Sequence, residues 1–426
     1  MDARRRKKLP AFSDTDGGPT WRIALYSHDA LGLGHMRRNH LIAQSLAISS
    51  LPASILLVAG AREACAFSLP PGVDYLTLPA LSKDSNNRYE TRSLAVPVQK
   101  LVELRTASIT AALEAFDPDV FLVDKVPRGV LCELEPALEL LRRRGRTICV
   151  LGLRDVLDEA AATRREWRER GTDQAIRDYY HSIWIYGDVR VFDQVREYGF
   201  TAEVADKVRY TGYLARPRRT RFSEIDGAEL LPVLGEPERH FLCLVGGGQD
   251  GANLAETFAQ VDFPPGTNGV ILTGPFMPVE VLERLYRLAQ HRPRLRVIKF
   301  VTDPELLLSV ADRVVAMGGY NTLCEVLAFE KPALIVPRIQ PRQEQLVRAQ
   351  RLKNLGLIDM VHPDELCPQT LGEWLSRDLQ PPRGVGERVN VNGAENLPHM
   401  LQEALAAHAD GCGWNRSKEA TFHGNY

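Results

Sequence analysis

The chain has 426 residues, 44% of them hydrophobic and 25% charged, and its 53 Lys and Arg nearly cancel its 54 Asp and Glu. Such a balance argues against a disordered chain and gives no field that would gather nucleic acid or an anionic bilayer. At roughly 150 residues per domain the length asks for two or three domains, and two lobes is the working count.

The basic run Arg4 to Lys8 is followed by Pro10, Asp14, Asp16, Gly17 and Gly18. No apolar core of a signal peptide follows it, so residues 1–20 read as a disordered arm. Short β-branched runs then alternate with helical periodicity: 23–27, 55–59, 73–78, 120–123, 147–151 and 183–186. That alternation predicts βαβ units on a parallel sheet, a first lobe over 21–215. Within it, Leu131, Leu134, Leu138 and Leu141 predict a crossover helix over 129–144. The stretch 216–238 holds Pro217, Pro232 and Pro237 without periodicity and reads as a linker. A second alternating series, with strands expected at 241–245, 270–272, 297–300, 314–316 and 333–336, predicts a second lobe over 239–392. A last amphipathic helix follows over 393–408, and then a tail, 409–426. The fold class is therefore α/β, two Rossmann-like doubly wound lobes facing a cleft. Seven scattered cysteines without a C-x-x-C pair suit reduced thiols and a cytosolic location, and no apolar run is long enough to span a bilayer, so any membrane contact is peripheral.

Chemistry concentrates where strands run into glycines. The first strand leads to Gly32-Leu33-Gly34-His35, a strand-to-helix turn that aims backbone N–H groups at a ligand. A tight turn needed only for packing accounts for it equally well, and Arg37 stands where a dinucleotide fingerprint needs its third glycine. In the second lobe the strand 241–245 enters Gly246-Gly247-Gly248-Gln249-Asp250-Gly251, whose missing side chains suit a diphosphate. The dipeptide Asp303-Pro304 reads as a helix start, with Asp as N-cap. The strand 314–316 opens into Gly318-Gly319-Tyr320-Asn321-Thr322-Leu323-Cys324-Glu325. Glu325 sits early enough in that helix to meet a ribose diol, though an exposed helix glutamate is the commoner fate. Gln340, Arg342, Gln343, Glu344 and Gln345 follow the next strand as donors and acceptors for sugar hydroxyls.

These motifs resemble the donor-site signature of GT-B glycosyltransferases of family 28, which includes the N-acetylglucosaminyltransferase of the lipid-linked peptidoglycan precursor. The dense likeness covers about residues 296–350. Within the family, the chain is most similar to an uncharacterised subgroup of glycosyltransferases with a Gly-Leu-Gly-His-x-x-Arg opening and a Val-Asp-Lys-x-Pro segment, here Val123 to Pro127. The resemblance implies that Glu325 binds ribose, that Glu344 and Gln345 meet the donor sugar, and that Phe300 and Val301 pack on the nucleobase. It also implies a diphosphate held by Gly34, Gly246, Gly247, Gly248 and Gln249 with Gly319, Asn321 and Thr322 nearby. Departures are Glu344, where the family has the first glutamine of a pair, and Tyr320-Asn321, where a small apolar pair is usual.

The activity so implied is an inverting, metal-independent transfer from a nucleotide-sugar, expected to be UDP-linked, to a small-molecule or glycan hydroxyl. The nucleotide-sugar is a co-substrate, and no further cofactor is expected. His35 is the first candidate for general base, since imidazole titrates near neutrality. Asp124, at the end of another strand, is the second candidate or an orienter of a histidine. Asp14-Thr15-Asp16 and Asp117-Pro118-Asp119 lie in the arm and before a strand, the wrong places for a metal site. Alternatives are a nucleotide-sugar 2-epimerase of the same fold and a non-catalytic nucleotide-sugar-binding protein.

Overall fold

The computed structural model describes residues 20–27, 34–60, 69–84, 88–216, 239–301 and 304–412. The arm through residue 19, Gly32 and Leu33 of the first loop, the linker 217–238, Asp303 and residues 413–426 lie outside them.

In chain order the first lobe has β1 (Trp21–Tyr26), β2 (Ala53–Ala59), β3 (Val73–Thr77), β4 (Leu81–Lys83), β5 (Tyr89–Thr91), β6 (Val120–Asp124), β7 (Ile148–Arg154), β8 (Ser182–Tyr186) and β9 (Val208–Tyr210). Seven of these form a parallel sheet ordered β3-β2-β1-β6-β7-β8-β9, while β4 and β5 pair antiparallel beside it. Side chains alternate across the sheet as strand geometry requires. Ile23, Leu25, Leu122 and Val150 enter one apolar layer, and Ala24, Tyr26, Phe121, Val123 and Leu151 the other. Burial on both faces is why these strands read as continuous apolar runs.

The second lobe has β10 (Arg239–Leu244), β11 (Thr267–Leu272), β12 (Leu295–Ile298), β13 (Arg313–Ala316), β14 (Ala333–Ile335) and β15 (Asp359–Met360). They form a parallel six-stranded sheet ordered β12-β11-β10-β13-β14-β15. In each sheet the order reverses beside the first strand, between β1 and β6 and between β10 and β13. Ligands of doubly wound sheets bind outside the strand ends at such a switch point. Gly34, Asp124, Gly246 and Gly319 all follow or end one of those four strands.

Three segments differ from the expectation. The crossover helix begins at Glu135, not residue 129, because Leu131 and Cys132 take left-handed conformations with φ of 50° and 64°. That bend delivers Glu133 into the core, where it accepts hydrogen bonds from Arg105 Nε at 2.6 Å and Tyr26 Oη at 2.6 Å. The helix after residue 303 is capped by Pro304 itself and runs Glu305–Val310. The last helix spans Gly393–Cys412, four residues into the expected tail, and its first residues return to the first lobe. Gly393 N donates to Tyr213 O at 3.0 Å, Asn396 Nδ2 to Thr211 O at 2.8 Å, and Ser45 Oγ to Ala394 O. Leu397, Leu401 and Leu405 join the apolar layer that holds Ile42 and Leu46, so one core cluster runs through both lobes.

Candidate active site

The helix Gly34–Ala47 starts at the first glycine turn and carries His35 and Arg38 three residues apart, on one face. Both point at Asp124, the last residue of β6, which is wholly buried. His35 Nδ1 lies 2.5 Å from Asp124 Oδ2. Arg38 Nη2 donates to both carboxylate oxygens at 2.6 and 2.8 Å and lies 2.8 Å from the same imidazole nitrogen. Burial acts to raise the Asp124 carboxyl, but Arg38 and His35 outweigh it and hold it well below the usual carboxylate range. Burial lowers His35 from 6.5 to about 4, against the pull of Asp124, whose charge Arg38 already balances. A neutral imidazole facing a carboxylate through Nδ1 carries its proton there, and Nε2 is then the basic nitrogen. Asp124 orients the histidine, and Arg38 keeps Asp124 charged.

In the second lobe the glycine loop follows β10. Gly246, Gly247 and Gln249 are exposed and Gly248 is buried. Gly248 has a φ of 96°, and a Cβ there would meet Met277 N at 2.7 Å, so this position admits only glycine. Across the switch point Gly319 caps the helix Tyr320–Ala328. Asn321, in the first turn, donates from Nδ2 to Gly34 O at 3.2 Å, which joins the two glycine turns across the lobes. Asn321 and Glu325 line a cavity with Arg37 and Arg38 of the first lobe. Thr322 and Glu325 are half-buried, as is Val301, while Phe300 is exposed beneath the Arg37 guanidinium, 6.0 Å from its ring. Tyr320, by contrast, is buried and structural: its hydroxyl accepts from Leu214 N at 3.1 Å.

Glu344 and Gln345 begin the helix Glu344–Asn354 and are both buried. Gln345 Oε1 accepts from Arg338 N at 3.0 Å, and Arg338 pairs with Glu344 at 2.6 Å and with Asp250 of the glycine loop at 2.9 Å. Arg338 therefore ties the loop to the start of the helix Glu344–Asn354. Asp117 and Asp119 are likewise structural, pairing with Arg22, Arg144 and Arg146 at the other end of the sheet. Among the described residues no three His, Cys, Asp or Glu side chains gather as metal ligands, and no helix is long and apolar enough to cross a membrane.

Arg38, Arg338 and the interlobe pair Arg348–Asp155 escape local sequence reasoning. Arg38 stands in the Gly-x-Gly-His-x-x-Arg pattern, where its spacing from His35 was the available signal. Arg348 lies mid-helix, where a basic residue ordinarily reads as solvated, yet it is fully buried. It donates to Asp155 at 2.6 and 2.7 Å and to Gly318 O at 3.0 Å.

Two parallel, doubly wound sheets meeting at their switch points define the GT-B fold. Solved structures agree with it over most of the chain. The UDP-GlcNAc 2-epimerase from Neisseria meningitidis bound to UDP-GlcNAc aligns with a TM-score of 0.57 at 15% identity, covering 91% of this chain and 100% of that one. MurG of Acinetobacter baumannii aligns at 0.50 and 15%, covering 92% and 100%. Residues 241–396 match the Glycosyltransferase family 28 C-terminal domain. A UDP-N-acetylglucosamine--N-acetylmuramyl-(pentapeptide) pyrophosphoryl-undecaprenol N-acetylglucosamine transferase of Streptomyces coelicolor is 26% identical over 231 residues, 49% of this chain and 62% of that protein. The chain thus spans less than two thirds of the length of the curated relatives it matches.

Proposed function

We propose that the protein is a glycosyltransferase that moves a sugar from a nucleotide-sugar, UDP-linked, to a hydroxyl of a small-molecule or glycan acceptor. The observation that carries this reading is the oriented His35–Asp124 pair at the first switch point, joined by the Gly34–Asn321 contact to the family 28 domain. In the reaction, the acceptor hydroxyl gives its proton to His35 Nε2 as its oxygen bonds to the anomeric carbon. The bond from that carbon to the diphosphate breaks with inversion, and the nucleoside diphosphate leaves with the electron pair. The amides of Gly246 and Gly247 and the N-terminus of Tyr320–Ala328 stabilise the departing charge without a required metal. Phe300 and Val301 pack on the base, Glu325 holds the ribose, and Glu344 with Gln345 meets the sugar.

Titration with UDP of the wild type and Glu325→Gln tests the donor site. The variant is expected to bind UDP about 1 to 3 kcal/mol more weakly, the worth of one charged hydrogen bond to ribose. Equal affinity would return Glu325 to an ordinary helix glutamate. Product analysis after incubation with UDP-sugars separates transfer from epimerisation: release of UDP that depends on an added acceptor supports the transferase, and an epimerised sugar without acceptor contradicts it.

A further inference from the structure

Among the described residues, Arg38, Arg338, Arg342 and Arg348 reach the cleft paired with carboxylates. Two neighbouring cations differ. Among the described residues neither Lys125 Nζ nor the Arg154 guanidinium forms a salt bridge or a side-chain hydrogen bond, and Arg154 Nε is buried without a partner. They sit side by side at the strand ends that carry the candidate base: Lys125 directly follows Asp124, its amide donates to Gly152 O of β7 at 2.8 Å, and Arg154 ends β7. Lys125 has a φ of 69°, a left-handed conformation that disfavours residues with side chains and persists where the surroundings fix the position.

The charges act on each other. Burial first, then Arg154 and Arg342, bring the Lys125 ammonium down to about 7. Burial brings Arg154 down to about 10, opposed by Glu344 across the cleft. The Tyr186 hydroxyl, wholly buried at the end of β8 opposite Arg154, also has no hydrogen-bond partner among the described residues. Lys125 and Arg154 are each half-buried, and a charge partly withdrawn from water ordinarily has a partner, because an uncompensated charge away from solvent is unfavourable.

We propose that Lys125 and Arg154 form an anion subsite on the first-lobe side of the cleft, which takes the carboxylate or phosphate of an acidic acceptor beside His35. The inference rests on the glycosyl-transfer reading for the word acceptor. Both cations belong to the sheet that carries the base, while the donor's own phosphates meet the glycine loop of the other lobe. An anion held there fixes the acceptor relative to Nε2 and supplies the missing counter-charge.

The test uses the full-length protein saturated with UDP, with inorganic phosphate as the probe and thermal unfolding as the readout. Phosphate is expected to stabilise the wild type in a concentration-dependent way. Lys125→Gln and Arg154→Gln each shift the phosphate midpoint by roughly 10-fold, and the double variant abolishes the effect, with UDP affinity unchanged in all three. Lys125→Arg and Arg154→Lys retain a cation and should retain phosphate binding, and they serve should a glutamine variant fail to fold. Phosphate stabilisation undiminished in the double variant, or absent from the UDP-saturated wild type, overturns the subsite. Comparison of UDP-glucuronic acid with UDP-glucose distinguishes the two sources of the anion. Equal sensitivity to the variants supports the acceptor, and selective loss of the glucuronic acid conjugate would move the anion to the donor sugar and overturn the acceptor assignment. Failure of the wild type to bind UDP at all would instead sink the transferase reading, and it is measured first.

Discussion

His35→Ala is expected to lower turnover by roughly 100-fold or more while leaving UDP affinity nearly unchanged, the pattern of a general base on the acceptor side. The expectation follows from geometry: His35 lies in the first turn of its helix, its Nδ1 is committed to Asp124, and Nε2 is the basic atom. A pH signature accompanies it. The imidazole moves from 6.5 in the unfolded chain to about 4 in the folded one, so between these values the unfolded chain binds the extra proton. The stability contribution is complete above pH 6.5 and is lost as pH falls towards 4, by up to roughly 1.4 kcal/mol per pH unit. Melting temperatures of His35→Ala should therefore fall less steeply than those of the wild type over that window. Normal turnover in the variant would move the base elsewhere, and a loss of stability at pH 8 that matches the loss of activity would make His35 a helix cap.

The largest stability effect is expected at Arg348. Its guanidinium holds Asp155 of the first lobe from a helix of the second, with both residues almost wholly buried. Arg348→Met removes the positive partner and leaves the Asp155 carboxylate with the Tyr213 hydroxyl, 3.0 Å away, as its side-chain contact. Breaking a buried pair from one side costs about 3 to 5 kcal/mol, whereas removing both charges is often close to neutral. Thermal melting should therefore drop markedly in Arg348→Met and recover in Arg348→Met with Asp155→Leu. Similar melting of the single and double variants would show that the pair contributes little. The same bridge makes the two lobes mutually dependent, so the intact chain, and not an isolated second lobe, is the proper material for binding measurements.

Much of this fold is legible in the sequence because each parallel strand is buried on both faces and so reads as an apolar run. β1, β6, β10 and β13 stand within a few residues of their expected positions, and the glycines that end β1, β10 and β13 mark the loops. The short strands β9 and β15 lack that signal: Val208–Tyr210 and Asp359–Met360 lie at sheet edges and carry polar residues. The return of the last helix to the first lobe is invisible to periodicity, which reports that a face is apolar but not what covers it. The candidate site residues divide in the same way. Glycines, His35 and Glu325 announce themselves by local pattern, whereas Arg38–Asp124 and Arg348–Asp155 join positions 86 and 193 residues apart. Only packing brings such charges together.

Amide hydrogen exchange of the full-length protein with and without saturating UDP asks whether a nucleotide-sugar binds at the second-lobe switch point. Ligand binding to the native state slows local opening where the ligand sits. Slowed exchange is expected in the glycine loop 246–251 and the helix start 319–325, with peptides of the first lobe beyond the Gly34 turn little changed. Protection confined to the first-lobe strand ends, or none in 246–251 at saturating UDP, would contradict it.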